Sequence, residues 1–210
     1  MMPEYVTLMA SLPPIGRLFE AHQLPISELK LSSRLKMLTE KDTLRLDQIA
    51  ALVAWRQQPM ERSDAQFITE ARRFFETVRN PVLREIMVYR LDVRTIVAAL
   101  RRRHRGERTP PANQLWGVGQ WVSYIERHWT EPGFHLEVMF PWILEANQYL
   151  EAHDSVAIER LQFEIIWKML DRVETGHYFD FEAVVLIFYE QSSSSSNAWL
   201  NRPSGAILLV

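Results

Sequence analysis

The chain has 210 residues, room for one large domain or two small ones, and its 47% hydrophobic and 24% charged content is that of an ordinary globular protein. It contains no cysteine, which excludes disulfides, thiolate metal sites, iron–sulfur clusters and a cysteine nucleophile. A formal net charge of −2 argues against coating nucleic acid or anionic lipid by overall charge, and only 7 glycines disfavour glycine-rich phosphate loops and turn-dense β folds.

The N-terminus lacks a basic start and its apolar run is broken by Pro13-Pro14, so no signal peptide is expected. Residues 4–12 predict a short strand or an extended arm closed by those prolines. A helical pattern begins at Ser27, with Leu29, Leu31, Leu35 and Leu38 as its apolar positions. Thr39 and Asp42 resemble a capping box, opening a helix that runs to about Gln57 with Leu44, Leu46, Ile49, Leu52 and Val53 inward and Pro59 as its stop. Ser63 caps a third helix carrying Phe67, Ile68, Ala71, Phe74, Phe75 and Val78. Asn80-Pro81 starts a long helix over 81–104, whose apolar face is Leu83, Ile86, Met87, Val93, Ile96, Val97 and Leu100, with Gly106 as its stop.

From Gly106 to Gly133 prolines and glycines interrupt any long periodicity, leaving only 120–129 as a short helix. Helical spacing resumes over 136–152, 155–174 and 179–190. Five serines at 192–196 read as a linker, and the apolar tail ending Ile207-Leu208-Leu209-Val210 must pack back or fray. No stretch of 18 uncharged apolar residues exists, so no bilayer span is expected. The expected fold is therefore all-α: a helical bundle with an N-terminal half (1–106), a Pro/Gly/Trp-containing connector (107–134), a C-terminal half (135–191) and a Ser-rich linker with apolar tail (192–210).

The patterns that carry chemistry are weak. A His-Glu-x-x-His motif is absent, and the single Glu-x-x-His, Glu174 to His177, reads as a solvated helix end. His135 and Glu137, two apart, would face different sides of a helix. There is no Gly-x-Ser-x-Gly and no Walker sequence, and Gly117-Val118-Gly119 lacks the third glycine of a dinucleotide loop. No catalytic, cofactor-binding or metal-binding residue is assigned, and no cofactor is expected.

The distinctive charge feature is Arg101-Arg102-Arg103-His104-Arg105, with Arg94 and Arg108 nearby; Arg94, Arg101 and Arg105 fall near one helical stripe. The macrodipole favours cations at a helix C-terminus, which accounts for one or two of these arginines. The whole set reads either as a docking patch for an acidic surface or as a solvated helix end. Of the 7 tryptophans, Trp55, Trp142 and Trp167 lie in helical patterns and read as core. Trp116, Trp121 and Trp129 lie in or beside the connector, where they either present an interface or cover the seam between the halves. The predicted protein-binding residues are Arg94, Arg101, Arg102, Arg103, Arg105, Arg108, Trp116 and Trp121.

Several stretches resemble a known family. Ala10-Ser11-Leu12-Pro13-Pro14 and then Pro25-Ile26-Ser27 are similar to the opening of bacterial proteins encoded beside vacuolar/archaeal-type ATPases. Tyr89-Arg90-Leu91-Asp92-Val93-Arg94-Thr95-Ile96, running into Leu100-Arg101-Arg102-Arg103-His104-Arg105-Gly106, resembles a helix of the C (or d) subunit of those ATPases. Pro141-Trp142-Ile143-Leu144-Glu145-Ala146 and His177-Tyr178-Phe179-Asp180-Phe181-Glu182-Ala183-Val184-Val185 extend the likeness over about residues 5–187, and after Leu186 the chain departs from the pattern.

The resemblance implies an all-helical, non-catalytic accessory or central-stalk subunit. Its partners would be other ATPase subunits of the stalk or membrane rotor ring, and it would lie in the cytoplasm, peripheral on the membrane through the complex. Neither nucleic acid nor direct membrane insertion is expected. Two other readings remain open: a stand-alone helical adaptor for an acidic protein, and a small-molecule enzyme housed in the bundle.

Overall fold

A computed structural model describes residues 5–13, 26–53, 63–112 and 114–189. Among them the chain is all-α, with nine helices and no strand: α1 (Val6–Ser11), α2 (Glu28–Leu35), α3 (Glu40–Val53), α4 (Asp64–Thr77), α5 (Pro81–His104), α6 (Val122–Arg127), α7 (Trp142–Glu151), α8 (Ser155–Glu174) and α9 (181–189). Two compact units result, one of residues 1–47 with 167–210 and the other of residues 48–166. The boundaries fall inside α3 and α8, and the stretch 107–134 lies wholly in the second unit.

In the first unit, the segment expected as a strand or arm is instead the helix α1. A short apolar run does not by itself distinguish strand from helix. Here Leu8 is buried and the Ser11 hydroxyl donates to the Leu8 carbonyl at 2.7 Å. Tyr5 anchors this helix. Its backbone N–H donates to Phe179 O at 2.9 Å, and its hydroxyl donates to Asp42 Oδ2 at 2.5 Å while accepting from Thr39 N at 3.3 Å.

The start of α3 is thus a modified capping box. Thr39 Oγ1 accepts from Asp42 N at 3.2 Å, and the Tyr5 hydroxyl takes the place of the reciprocal carboxylate. Burial and the Asp42 carboxylate both push the Tyr5 phenol pKa up. α9 is buried almost continuously, from Ala183 through Ile187. Leu29 and Leu44, expected inward, are instead exposed (85% and 59%).

In the second unit, local signals act as the pattern predicts. Ser63 Oγ accepts from Gln66 N at 3.2 Å and Gln66 Oε1 accepts from Ser63 N at 3.0 Å, a complete capping box for α4. Asn80 Oδ1 accepts from Val82 N and Leu83 N at 3.0 and 3.1 Å, with Pro81 at the first helical position of α5. Gly106, at φ +91°, closes that helix, its N–H donating to Arg103 O at 2.8 Å. The predicted bounds of α5 and α8 match the observed ones.

α5 is more than an amphipathic helix. Between Leu91 and Leu100 only Arg94 and Ala98 escape full burial, so the helix is enclosed on most sides. The expected helix ends near Gln57 and Pro59, Trp55, the serine run and the apolar tail lie outside the described residues.

Replacing the α5 cap by Asn80→Ala is expected to cost about 1 kcal/mol. A chain of this length should then melt roughly 2–4 °C lower, read by circular dichroism.

Candidate functional site

The middle of α5 carries two buried polar side chains, Asp92 and Thr95, both facing the segment 117–119. Thr95 Oγ1 donates to Val118 O at 2.9 Å and accepts from Val118 N at 3.0 Å, so one hydroxyl satisfies both backbone groups of that residue. The contact requires glycine on either side. A Cβ at Gly117 would lie 2.8 Å from Thr95 Cγ2, and one at Gly119 would lie 2.5 Å from Asp92 Oδ1. Gly119 also sits at φ +102°, where side chains are disfavoured. The pair that fails as a nucleotide loop is therefore a docking strip for backbone against helix.

Asp92 Oδ2 accepts from Trp121 Nε1 at 3.1 Å, while its Oδ1 is buried without a hydrogen-bond partner among the described residues. Burial pushes the Asp92 carboxyl up to about 6, opposed by the Trp121 bond. A raised carboxyl pKa is a mark of catalytic acids. Here Gly119 and Trp121 cover the group and only 4% of it is accessible, so it acts within the packing.

The C-terminal half of α5 builds a different feature. Arg94, Arg101, Arg102 and Arg105 line a half-open recess of about 180 Å³, with Val97 and Ala98 as its apolar floor and Asp64 and Gln162 completing the wall. Arg94 stacks its guanidinium on the Phe67 ring at 3.5 Å and lies 3.6 Å from Asp64 Oδ1. Arg102 reaches Asp64 Oδ2 at 3.8 Å and Glu107 Oε2 at 3.1 Å. Arg105 lies 3.6 Å from Glu107 Oε1 with 66% of its side chain exposed. Arg101 has no ion-pair or hydrogen-bond partner for its guanidinium among the described residues. Four guanidiniums thus meet two carboxylates among the described residues, Asp64 in the wall and Glu107 beside it, which leaves a positive excess at the recess.

The remaining predicted contact residues are placed elsewhere. Arg103 points away from the recess: its Nη1 donates to Glu131 O at 2.5 Å, its Nη2 to Thr130 O at 3.2 Å, and it lies over the Phe134 ring. Burial lowers its pKa, with the Glu131 charge opposing. Arg108 is exposed beyond the helix end. Trp116 is only 5% exposed, donates from Nε1 to Glu126 Oε1 at 3.0 Å and packs edge-on against Trp129, which removes it from the accessible surface. Trp121 is half-buried by its bond to Asp92 and its edge contact with Phe140. These indoles hold the 107–134 stretch together; Trp129 Nε1 likewise donates to Glu107 O at 2.8 Å.

Among the described residues, one group could offer metal ligands: His177, Asp180 and Glu182 present atoms within 4.8 Å of one another. Asp180 has a structural task already, with Oδ1 accepting from Ala183 N at 3.0 Å at the start of α9 and Oδ2 lying 2.7 Å from His177 Nδ1. The positive end of a helix dipole also opposes a cation there.

Asp64, Gln162, Asp92 and Thr95 were missing from the sequence-derived set. Asp64 carries a visible signal as an acid in the first turn of α4, but that signal points to capping rather than to a partner 30 residues away. Compared with known proteins, the chain matches no family model, no curated protein and no solved structure.

Two outcomes follow from this geometry. Because the folded pKa of Asp92 is raised, its favourable contribution is complete at low pH and is lost as pH climbs from about 4 through about 6. Asp92→Asn should flatten the pH dependence of unfolding in that window, removing a fall of about 2–3 kcal/mol. Arg103→Gln should lower stability by about 1–3 kcal/mol in urea melts, whereas exposed Arg108→Gln should leave it within about 0.5 kcal/mol.

Proposed function

We propose that this chain is a non-catalytic docking subunit, an accessory or central-stalk component of a vacuolar/archaeal-type proton- or sodium-translocating ATPase. In this reading it holds an acidic surface of another subunit through the recess at the end of α5. The observation that carries the reading is the convergence of Arg94, Arg101, Arg102 and Arg105 on one recess, where the described carboxylates are Asp64 in the wall and Glu107 beside it. The likeness of residues 89–106 to a helix of the C (or d) subunit supports the choice of partner class, a stalk or ring subunit. The chain would then sit at the cytoplasmic face of the membrane through its partners. Consistent with attachment through other subunits, no helix among the described residues is long and apolar enough to cross a membrane.

A recess of about 180 Å³ falls below the roughly 300–1,000 Å³ of pockets that enclose small molecules. Its walls offer cations and an amide rather than a paired nucleophile and base. Both points favour a contact surface over an active site. A specific interface would be completed by neighbouring surface to about 1,200–2,000 Å² in total.

The test is co-purification with recombinant stalk and ring subunits at low salt. Association is expected, weakening as salt rises and abolished by reversing Arg101, Arg102 and Arg105 together to glutamate. No association, or association indifferent to the reversal, overturns the reading. Equal binding to unrelated acidic proteins would instead identify a general adaptor.

A further inference from the structure

The cationic recess already holds a carboxylate of its own. Asp64 lies between Arg94 and Arg102 at 3.6 and 3.8 Å, well beyond the 2.7–2.9 Å of a tight charge-assisted hydrogen bond. Half of its side chain remains exposed. Asp64 is therefore attracted by the two guanidiniums without being locked to them. Arg101 lines the same recess with no partner among the described residues.

Resting on the docking reading above, we infer that the recess seats carboxylate side chains of an acidic peptide segment in the partner, and that Asp64 is an internal occupant which an incoming carboxylate displaces. The resident group is itself a carboxylate, so the recess has the chemistry for that ligand. Spacing favours a chain of acids over one small anion. Arg101 and Arg105 are one helical turn apart, and Arg94 lies about 10 Å further along the axis. Successive side chains of an extended or helical acidic segment can reach both positions together, with Gln162 as an amide neighbour.

The probe is a fluorescein-labelled octaglutamate peptide, titrated with the full chain and read by fluorescence anisotropy. The wild type should bind, and Arg101→Gln should weaken binding. Asp64→Asn should tighten it about two- to fivefold, the scale of one exposed ion pair. Asp64→Asn retains the shape of the side chain and leaves the Ser63–Gln66 capping box in place, and a thermal melt verifies the fold. Glu76→Gln makes the same change in net charge at the other end of α4, about 18 Å away, and should leave affinity unchanged. Inorganic phosphate should compete no better than sodium chloride of equal ionic strength.

Unchanged or weaker binding by Asp64→Asn, or equal tightening by Glu76→Gln, overturns the internal-occupant proposal. Phosphate competition at lower ionic strength than chloride overturns the ligand class. If Arg101→Gln weakens binding while Asp64→Asn does nothing, the proposal fails and the docking reading stands. If the peptide does not bind the wild type at low salt, both fail.

Discussion

The organisation of the second unit depends on the close approach of the 117–119 backbone to the middle of α5. That approach is a steric constraint before it is an energetic one. A methyl group at either glycine would collide with Thr95 or Asp92, so Val118 can approach the helix only with glycine on each side of it. Once seated, the strip is held by two bonds to a single hydroxyl, both sheltered from water. Trp121 then reaches back to Asp92, and Trp116 and Trp129 pack edge to edge. A stretch rich in helix breakers becomes an ordered wall because its backbone polar groups find partners on a helix rather than in a ladder.

The same helix shows how angular position decides the fate of like residues. At about 100° per residue, Arg94, Arg101 and Arg105 fall within a narrow arc, and Arg102 lies roughly 80° away. Arg103 falls on the opposite side, about 180° from Arg94. The first four accordingly line one recess, whereas Arg103 bonds two carbonyls of the 128–135 turns. A run that reads as one basic patch thus separates into a contact surface and a structural pin. Two of the recess cations are oriented by neighbouring groups: Arg94 by the Phe67 face and Asp64, Arg105 by the partly exposed Glu107 carboxylate. A surface of this kind acts strongly on encounter and orientation and is weakened by salt.

Asp92 illustrates a polar group kept at a cost. One oxygen is bonded to an indole and the other has no partner among the described residues, in a place where water has little access. Burial favours the protonated form, so the packing tolerates the residue best when it is neutral. It serves the docking of the connector, since Trp121 would otherwise lose the acceptor that fixes its ring.

Local rules were sufficient for much of the chain. Ser63, Asn80-Pro81 and Gly106 announce helix ends because each satisfies or terminates backbone groups within a few residues of itself. The stripe of Arg94, Arg101 and Arg105 was legible for the same reason, as helical period alone places it. The helix α1 was not, since seven residues between an aromatic and a proline fit a strand as well as a helix until Tyr5 is bonded to Asp42 and Phe179. Nor were Asp64 as a recess wall, Asp92 as a buried acid, or Trp116 as core. Each depends on a neighbour ten or more residues distant, and for Asp64 and Asp92 the gap is near thirty. The sequence by itself determined the capped helices α4 and α5 and the bounds of α8, because hydrogen bonds between near neighbours and the helical period dictate them. Only the tertiary structure decided which charges share a recess and that Tyr5 and Phe179 belong to one unit, because burial and long-range pairing exist only once distant segments meet.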